Sequence, residues 1–117
     1  MKSMPRTVDL VVTGDDKAAL AAAVDAMQRG RCVLVVLHSG DAREVQRVRR
    51  RLCLAANADH SRFTVMTNAE VVCVDGVDGV EAVVIRHSRT GYLYAVNASA
   101  FLSCDGSTWP AHAGRWV

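Results

Sequence analysis

V-D-L-V-V-T-G-D-D-K-A-A-L-A-A-A-V-D-A-M-Q-R-G-R-C-V-L-V-V-L, residues Val8 to Leu37, reads as strand, helix, strand. Val8–Thr13 is rich in β-branched residues and bounded by Gly14, which predicts a buried first strand. Over Lys17–Arg29, Leu20, Val24 and Met27 recur at helical spacing, and Ala19, Ala22, Ala23 and Ala26 fill the same side. Such a helix has a smooth face of small residues, suited to lying on a sheet. Gly30 stands where a helix-ending glycine is favoured. Cys32–Leu37 is apolar without alternation, the pattern of a parallel strand covered on both faces. Strand, helix and strand within about 30 residues make one right-handed βαβ unit.

Working outward, Asp41–Ala56 predicts a second helix. Val45, Val48, Leu52 and Ala55 form its apolar stripe, and Arg43, Arg47, Arg50 and Arg51 an opposite basic one. Asp41 is placed to cap it. Asn57–Ser61 is a polar turn, and Phe63–Met66 a short third strand. Then the pattern changes. Glu70–Val74, Val80–His87 and Tyr92–Val96 are strand-like runs separated by the glycine turns at Asp75–Gly79 and Ser88–Gly91. Strands joined this closely pair antiparallel, so a meander follows the parallel part. Ala98–Ser103 reads as a last strand able to rejoin the parallel sheet.

The 117 residues fit one domain. Half of them are hydrophobic and only 5% aromatic, so the core must be built from Val, Leu and Ala. A formal net charge of +2 is too mild to indicate nucleic acid. The sequence holds neither a leader pattern nor an apolar run approaching the ~18 residues of a membrane span, so the expected location is the cytoplasm, with no membrane contact. Four cysteines, Cys32, Cys53, Cys73 and Cys104, form no Cys-x-x-Cys pair, which argues against a zinc knuckle or a dithiol centre. Cys32, Cys73 and Cys104 lie in apolar runs and read as small buried hydrophobes. His38, His60, His87 and His112 have no metal-binding spacing, so no metal is expected. Ser39 and Ser103 lack the Gly-x-Ser-x-Gly setting of a hydrolase nucleophile.

The turn after the first strand carries the functional question. Dinucleotide-binding turns read Gly-x-Gly-x-x-Gly or Ala. The first glycine makes the turn, the second leaves room for the diphosphate, and the third small residue lets helix and strand touch. Here the segment is Gly14-Asp15-Asp16-Lys17-Ala18-Ala19. Gly14 and Ala19 fit; Asp16 does not. Its side chain takes the phosphate's space and its charge repels the phosphate. Two like charges ~4 Å apart at an effective dielectric of ~20 cost roughly 4 kcal/mol, and partial solvation leaves about half. Asp15 or Asp16 also suits a helix cap, standing in for the missing anion.

The whole pattern resembles the nicotinamide-nucleotide-binding domain of thioredoxin-reductase-like flavoproteins, within the pyridine nucleotide–disulfide oxidoreductases. Val11–Ala23 is similar to the family's turn and first helix, and Cys32–His38 to its second strand, which ends in histidine. Phe63–Val74 is similar to the third strand and first meander strand, Gly79–Gly91 to the central hairpin, and Asn97–Gly106 to the return strand. The resemblance runs from about Val8 to Gly106. It implies an α/β fold: a three-layer Rossmann-like domain over residues 1–106, a parallel sheet with an antiparallel three-stranded meander. Residues 107–117, with Trp109 and Trp116, form a C-terminal tail expected to dock on the domain or on a partner.

The resemblance also implies a cofactor surface of Gly14, Asp15, Asp16, Lys17, Ala19, His38, Ser39 and Arg43. The departures weigh on function. Asp16 replaces the second glycine, and Ser39 and Gly40 stand where the family's phosphate-binding forms carry arginines after the histidine. The family's flanking flavin-binding segments and redox Cys-x-x-Cys are not found in these residues, so no FAD is expected, and NAD(P) binding is weakened rather than tight. A hydride needs an acceptor, which argues against a self-sufficient reductase. The leading expectation is a non-catalytic binding or interaction module, as a homodimer or with a flavoprotein partner. The alternatives are an NAD(P)- or adenine-nucleotide-binding subunit whose flavin part is a separate chain, and a nucleic-acid-binding module using Arg43, Arg47, Arg50 and Arg51, with Arg49 and Arg62 nearby. No aromatic residue interleaves that stripe, which counts against single-strand binding.

Overall fold

A computed structural model of the protein describes residues 7–14, 17–56, 62–76 and 79–103. The elements are β1 (Thr7–Thr13), α1 (Lys17–Gln28), β2 (Val33–Val36), α2 (Ala42–Ala55), β3 (Phe63–Met66), β4 (Ala69–Asp75), β5 (Ala82–His87) and β6 (Leu93–Leu102). They form one six-stranded sheet in the order β3-β2-β1-β6-β5-β4. β3, β2, β1 and the second half of β6 run parallel. β4, β5 and the first half of β6 are antiparallel. The expected α/β architecture, with a parallel sheet and a three-stranded meander, is the observed one.

Two cores make three layers. Val12, Val33 and Val35 point to the helices and pack with Leu20, Ala23, Met27, Val48 and Leu52. Val11, Leu34 and Val36 point the other way and pack with Val74, Val83, Ile85, Val96 and Phe101 of the meander side. Alternate residues of β2 therefore enter different cores, which is why its sequence shows no alternation of polarity.

β1 changes face part-way. The amides of Asp9 and Leu10 both donate to the carbonyl of Cys32, at 2.9 and 3.2 Å. This bulge puts Val8 on the meander side and Leu10 on the helix side. The Asp9 carboxylate braces it, accepting the Cys32 amide at 2.8 Å.

Helix α1 ends as its glycine predicts. Gly30 adopts φ +81°, its amide donates to Met27, and that of Arg31 donates to Ala26. These two bonds are the Schellman closure of a helix.

Two expectations need correction. Tyr92–Val96 and Ala98–Ser103 are not separate strands but one, β6, in which Asn97 pairs with Ala82 of the meander and with Thr7 of the parallel sheet. A single strand passes from one layer to the other by bending. Cys32 is exposed, because it precedes β2 rather than lying inside it. Cys73 is buried as expected and Cys53 half-buried, whereas Cys104 lies outside the described residues.

Burial raises the Cys73 thiol above the ordinary thiol range, and the nearby Asp75 carboxylate adds to the effect. The folded state therefore holds the proton more tightly than the unfolded chain. The stabilisation is complete below the ordinary thiol pKa and is lost as pH rises past it. At pH 8, alkylation of Cys32 is expected to outpace that of Cys73 by at least about tenfold, since Cys32 is exposed and Cys73 is buried with its thiol pKa raised. Peptide mapping of the labelled protein checks this; equal rates would mean that the meander core opens freely.

Candidate functional site

Ligands of open α/β sheets sit beyond the carboxyl ends of the strands, where the strand order reverses. Here that point lies between β1 and β6. Gly14 follows β1 with φ +101°, a conformation that side chains disfavour, and its amide donates to the Val36 carbonyl at 3.0 Å. Ala19 is fully buried against the sheet side, as a close helix–strand approach requires. Lys17 opens α1 and is exposed. Asp15 and Asp16, between them, lie outside the described residues.

The loop after β2 spends its polar groups on itself. His38 is exposed at the strand end. The Ser39 hydroxyl accepts the Asp41 amide at 3.0 Å. The Asp41 carboxylate accepts the amides of Arg43 and Glu44, at 2.9 and 3.3 Å, and so caps α2 as its position predicts. Such a cap is worth ~1 kcal/mol. Asp41 is thus turned to its own helix rather than to a ribose. Gly40 presses against Asn68, whose side chain comes within 2.6 Å of where a Cβ would stand. Asn68 itself takes φ +53° and offers its carbonyl to the amide and hydroxyl of Ser88, at 2.7 and 2.8 Å. The Asn68 corner and the meander hairpin therefore meet the β2 loop at this edge. No local pattern signals that meeting, because Asn68 lies in a short passage between two strands and its partners are distant in sequence.

A dinucleotide fits this edge in part. Gly14 and Ala19 supply the turn and the close packing. The loop from His38 to Asp41 carries no arginine, and its acid, Asp41, caps α2.

Arg43 leads away from the edge into a second feature. It lines a cleft of about 720 Å³ between α1 and α2 with Arg47, Arg50 and Arg51. From α1 come Lys17 and Leu20, and Leu54, 77% exposed, lies at the far end. Among the described residues, none that lines the cleft is acidic. The i, i+4, i+7 and i+8 spacing of the arginines made their shared face legible. The contribution of α1 was not, since it depends on how the helices pack. Arg49 does not line the cleft, and Arg62 lies apart from it beside Gly30. His60 and His112 lie outside the described residues, as do the tail and both tryptophans.

Among the described residues, no helix is long and apolar enough to cross a membrane. Among them, too, no group of three His, Cys, Asp or Glu side chains is placed to hold a metal.

No protein-family model matches this sequence, and no curated protein matches it. Solved structures do. A thioredoxin reductase from Streptococcus pyogenes is 22% identical with a TM-score of 0.64; the match covers 85% of this chain and 31% of the reductase. The flavin-dependent monooxygenase PieE, solved with FAD and substrate, is 15% identical with a TM-score of 0.62, over 89% of this chain and 31% of its own. L-proline dehydrogenase from P. horikoshii is 14% identical with a TM-score of 0.60, over 91% of this chain and 24% of its own. The chain thus has the Rossmann-like α/β fold found in flavoprotein oxidoreductases, and it spans about a third or less of their length. At these identities the likeness concerns the fold.

Proposed function

We propose that the chain is a non-catalytic binding module built on a dinucleotide-binding scaffold whose phosphate turn no longer admits a tightly bound cofactor. The observation that carries this reading is the conflict within one turn. Gly14 keeps the left-handed conformation and Ala19 the close packing of a phosphate-binding turn. The sequence nevertheless places Asp16 where the diphosphate must approach. The sequence also carries no Cys-x-x-Cys pair to take electrons from a hydride. A cytoplasmic setting, and a second copy or a flavoprotein chain as partner, belong to the same reading.

A second reading, a nicotinamide- or adenine-nucleotide-binding subunit of a flavoprotein in another chain, draws on Lys17 and His38, both exposed at the strand edge. Calorimetric titration with NADH and NADPH separates the two. The native protein is expected to give no saturable heat up to millimolar ligand. Asp16→Gly is expected to gain roughly 2 kcal/mol, about thirtyfold in affinity. Micromolar binding by the native protein would establish the second reading instead. A blank with Asp16→Gly would mean that the β2 end also bars the ligand.

A further inference from the structure

The cleft between α1 and α2 starts beside the strand edge, at Lys17 and Arg43, and runs on to Leu54. Along it, α2 from Ala42 to Leu54 makes about 18 Å of its length. Lys17, Arg43, Arg50 and Arg51 place positive charge along it, with no carboxylate among the described lining residues to offset them. Leu54 gives it an apolar end exposed to solvent, while Leu20 beneath it is 4% exposed and belongs to the helix-side core.

We infer that this cleft docks an acidic amphipathic helix of a partner protein. The inference names the kind of partner for the binding-module reading and rests on that reading. An amphipathic helix matches both parts of the lining at once: its leucine stripe would cover Leu54 and the apolar stems of the arginines, and its carboxylates would meet the flanking guanidinium groups. The length suits about three helical turns of the incoming segment. A nucleic acid satisfies the charges but leaves Leu54 uncovered, and no aromatic side chain among the described residues lines the cleft to stack a base.

The probe is a fluorescein-labelled peptide of about 14 residues, roughly the length of the cleft in helical form, with leucines at i, i+3, i+4 and i+7 and glutamates on its flanks. Its binding to the full chain is read by anisotropy. A scrambled peptide of identical composition and a single-stranded oligonucleotide of equal charge run beside it. The patterned peptide is expected to bind at least about tenfold more tightly than the scramble, because only it presents a leucine stripe. Arg43→Glu with Arg50→Glu, both at exposed positions, is expected to weaken it by about tenfold or more. Leu54→Ala is expected to weaken it about fivefold while leaving the scramble unaffected. Circular dichroism confirms that the variants fold.

Equal binding of scramble and patterned peptide would overturn the inference, as would tighter binding of the oligonucleotide or indifference to both variants. Leu54 lies at the far end of the cleft from the phosphate turn, so the Leu54→Ala arm is distinguishable from the cofactor titration of Asp16→Gly.

Discussion

Phe101→Ala is expected to destabilise the folded protein by about 3–5 kcal/mol, a large part of the ~5–15 kcal/mol that holds a domain of this size together. Phe101 is 2% exposed and pairs with Val11 across the junction of β6 and β1. Its ring packs in the core between the parallel sheet and the meander. With aromatic residues only 5% of the chain, that core is otherwise mostly valine and alanine. Small branched side chains cannot collapse far into the space a phenyl ring leaves, so the cavity term is nearly complete. Urea unfolding reads the loss as a fall in midpoint at constant slope. Leu93→Ala supplies the comparison: it lies on the same strand but is 63% exposed. Its effect is expected within about 0.5 kcal/mol. Equal midpoints for the two variants would mean that the meander does not pack on the sheet as described.

The second large effect is expected at Gly76. It adopts φ +154°, and a Cβ there would stand 1.7 Å from the Gly79 carbonyl oxygen. That obstacle is backbone, so no rotamer change relieves it, and the chain between β4 and β5 must move. Gly91 isolates this overlap from the cost of positive φ. It sits at φ +76° on the β5–β6 hairpin, and a Cβ added there would meet nothing within 4 Å. Gly91→Ala is expected to cost ~1 kcal/mol, the conformational penalty of a side chain in that region. Gly76→Ala is expected to cost at least about 3 kcal/mol, because displacement of the β4–β5 link is added to it. The displacement also strains the Glu81 amide's bond to the Asp75 carbonyl, which closes the meander turn. Thermal unfolding of the two variants checks the difference. Identical shifts would show that the link yields without disturbing β4 and β5.

Local patterns suffice for most elements. The valine runs, the alanine face of α1, Gly30 and Asp41 each act within a few residues, so strand, helix, stop and cap are legible without any long-range contact. The Gly14 and Ala19 positions are legible for the same reason: backbone conformation and helix–strand spacing depend on the residue itself. The order of the meander follows from its short turns, because such turns leave only antiparallel pairing.

What the sequence determined by itself was therefore most of the elements, their βαβ order and the antiparallel sense of the meander. Only the tertiary structure decided that Tyr92–Val96 and Ala98–Ser103 are one strand serving two layers. Only it decided that Cys32 faces solvent, and that Lys17 and Leu20 join the arginines of α2 around one cleft. The physical reason is range: hydrogen-bonding and steric preferences act along a few residues of chain, whereas layer crossing, exposure and a shared cleft depend on how elements distant in sequence pack against each other.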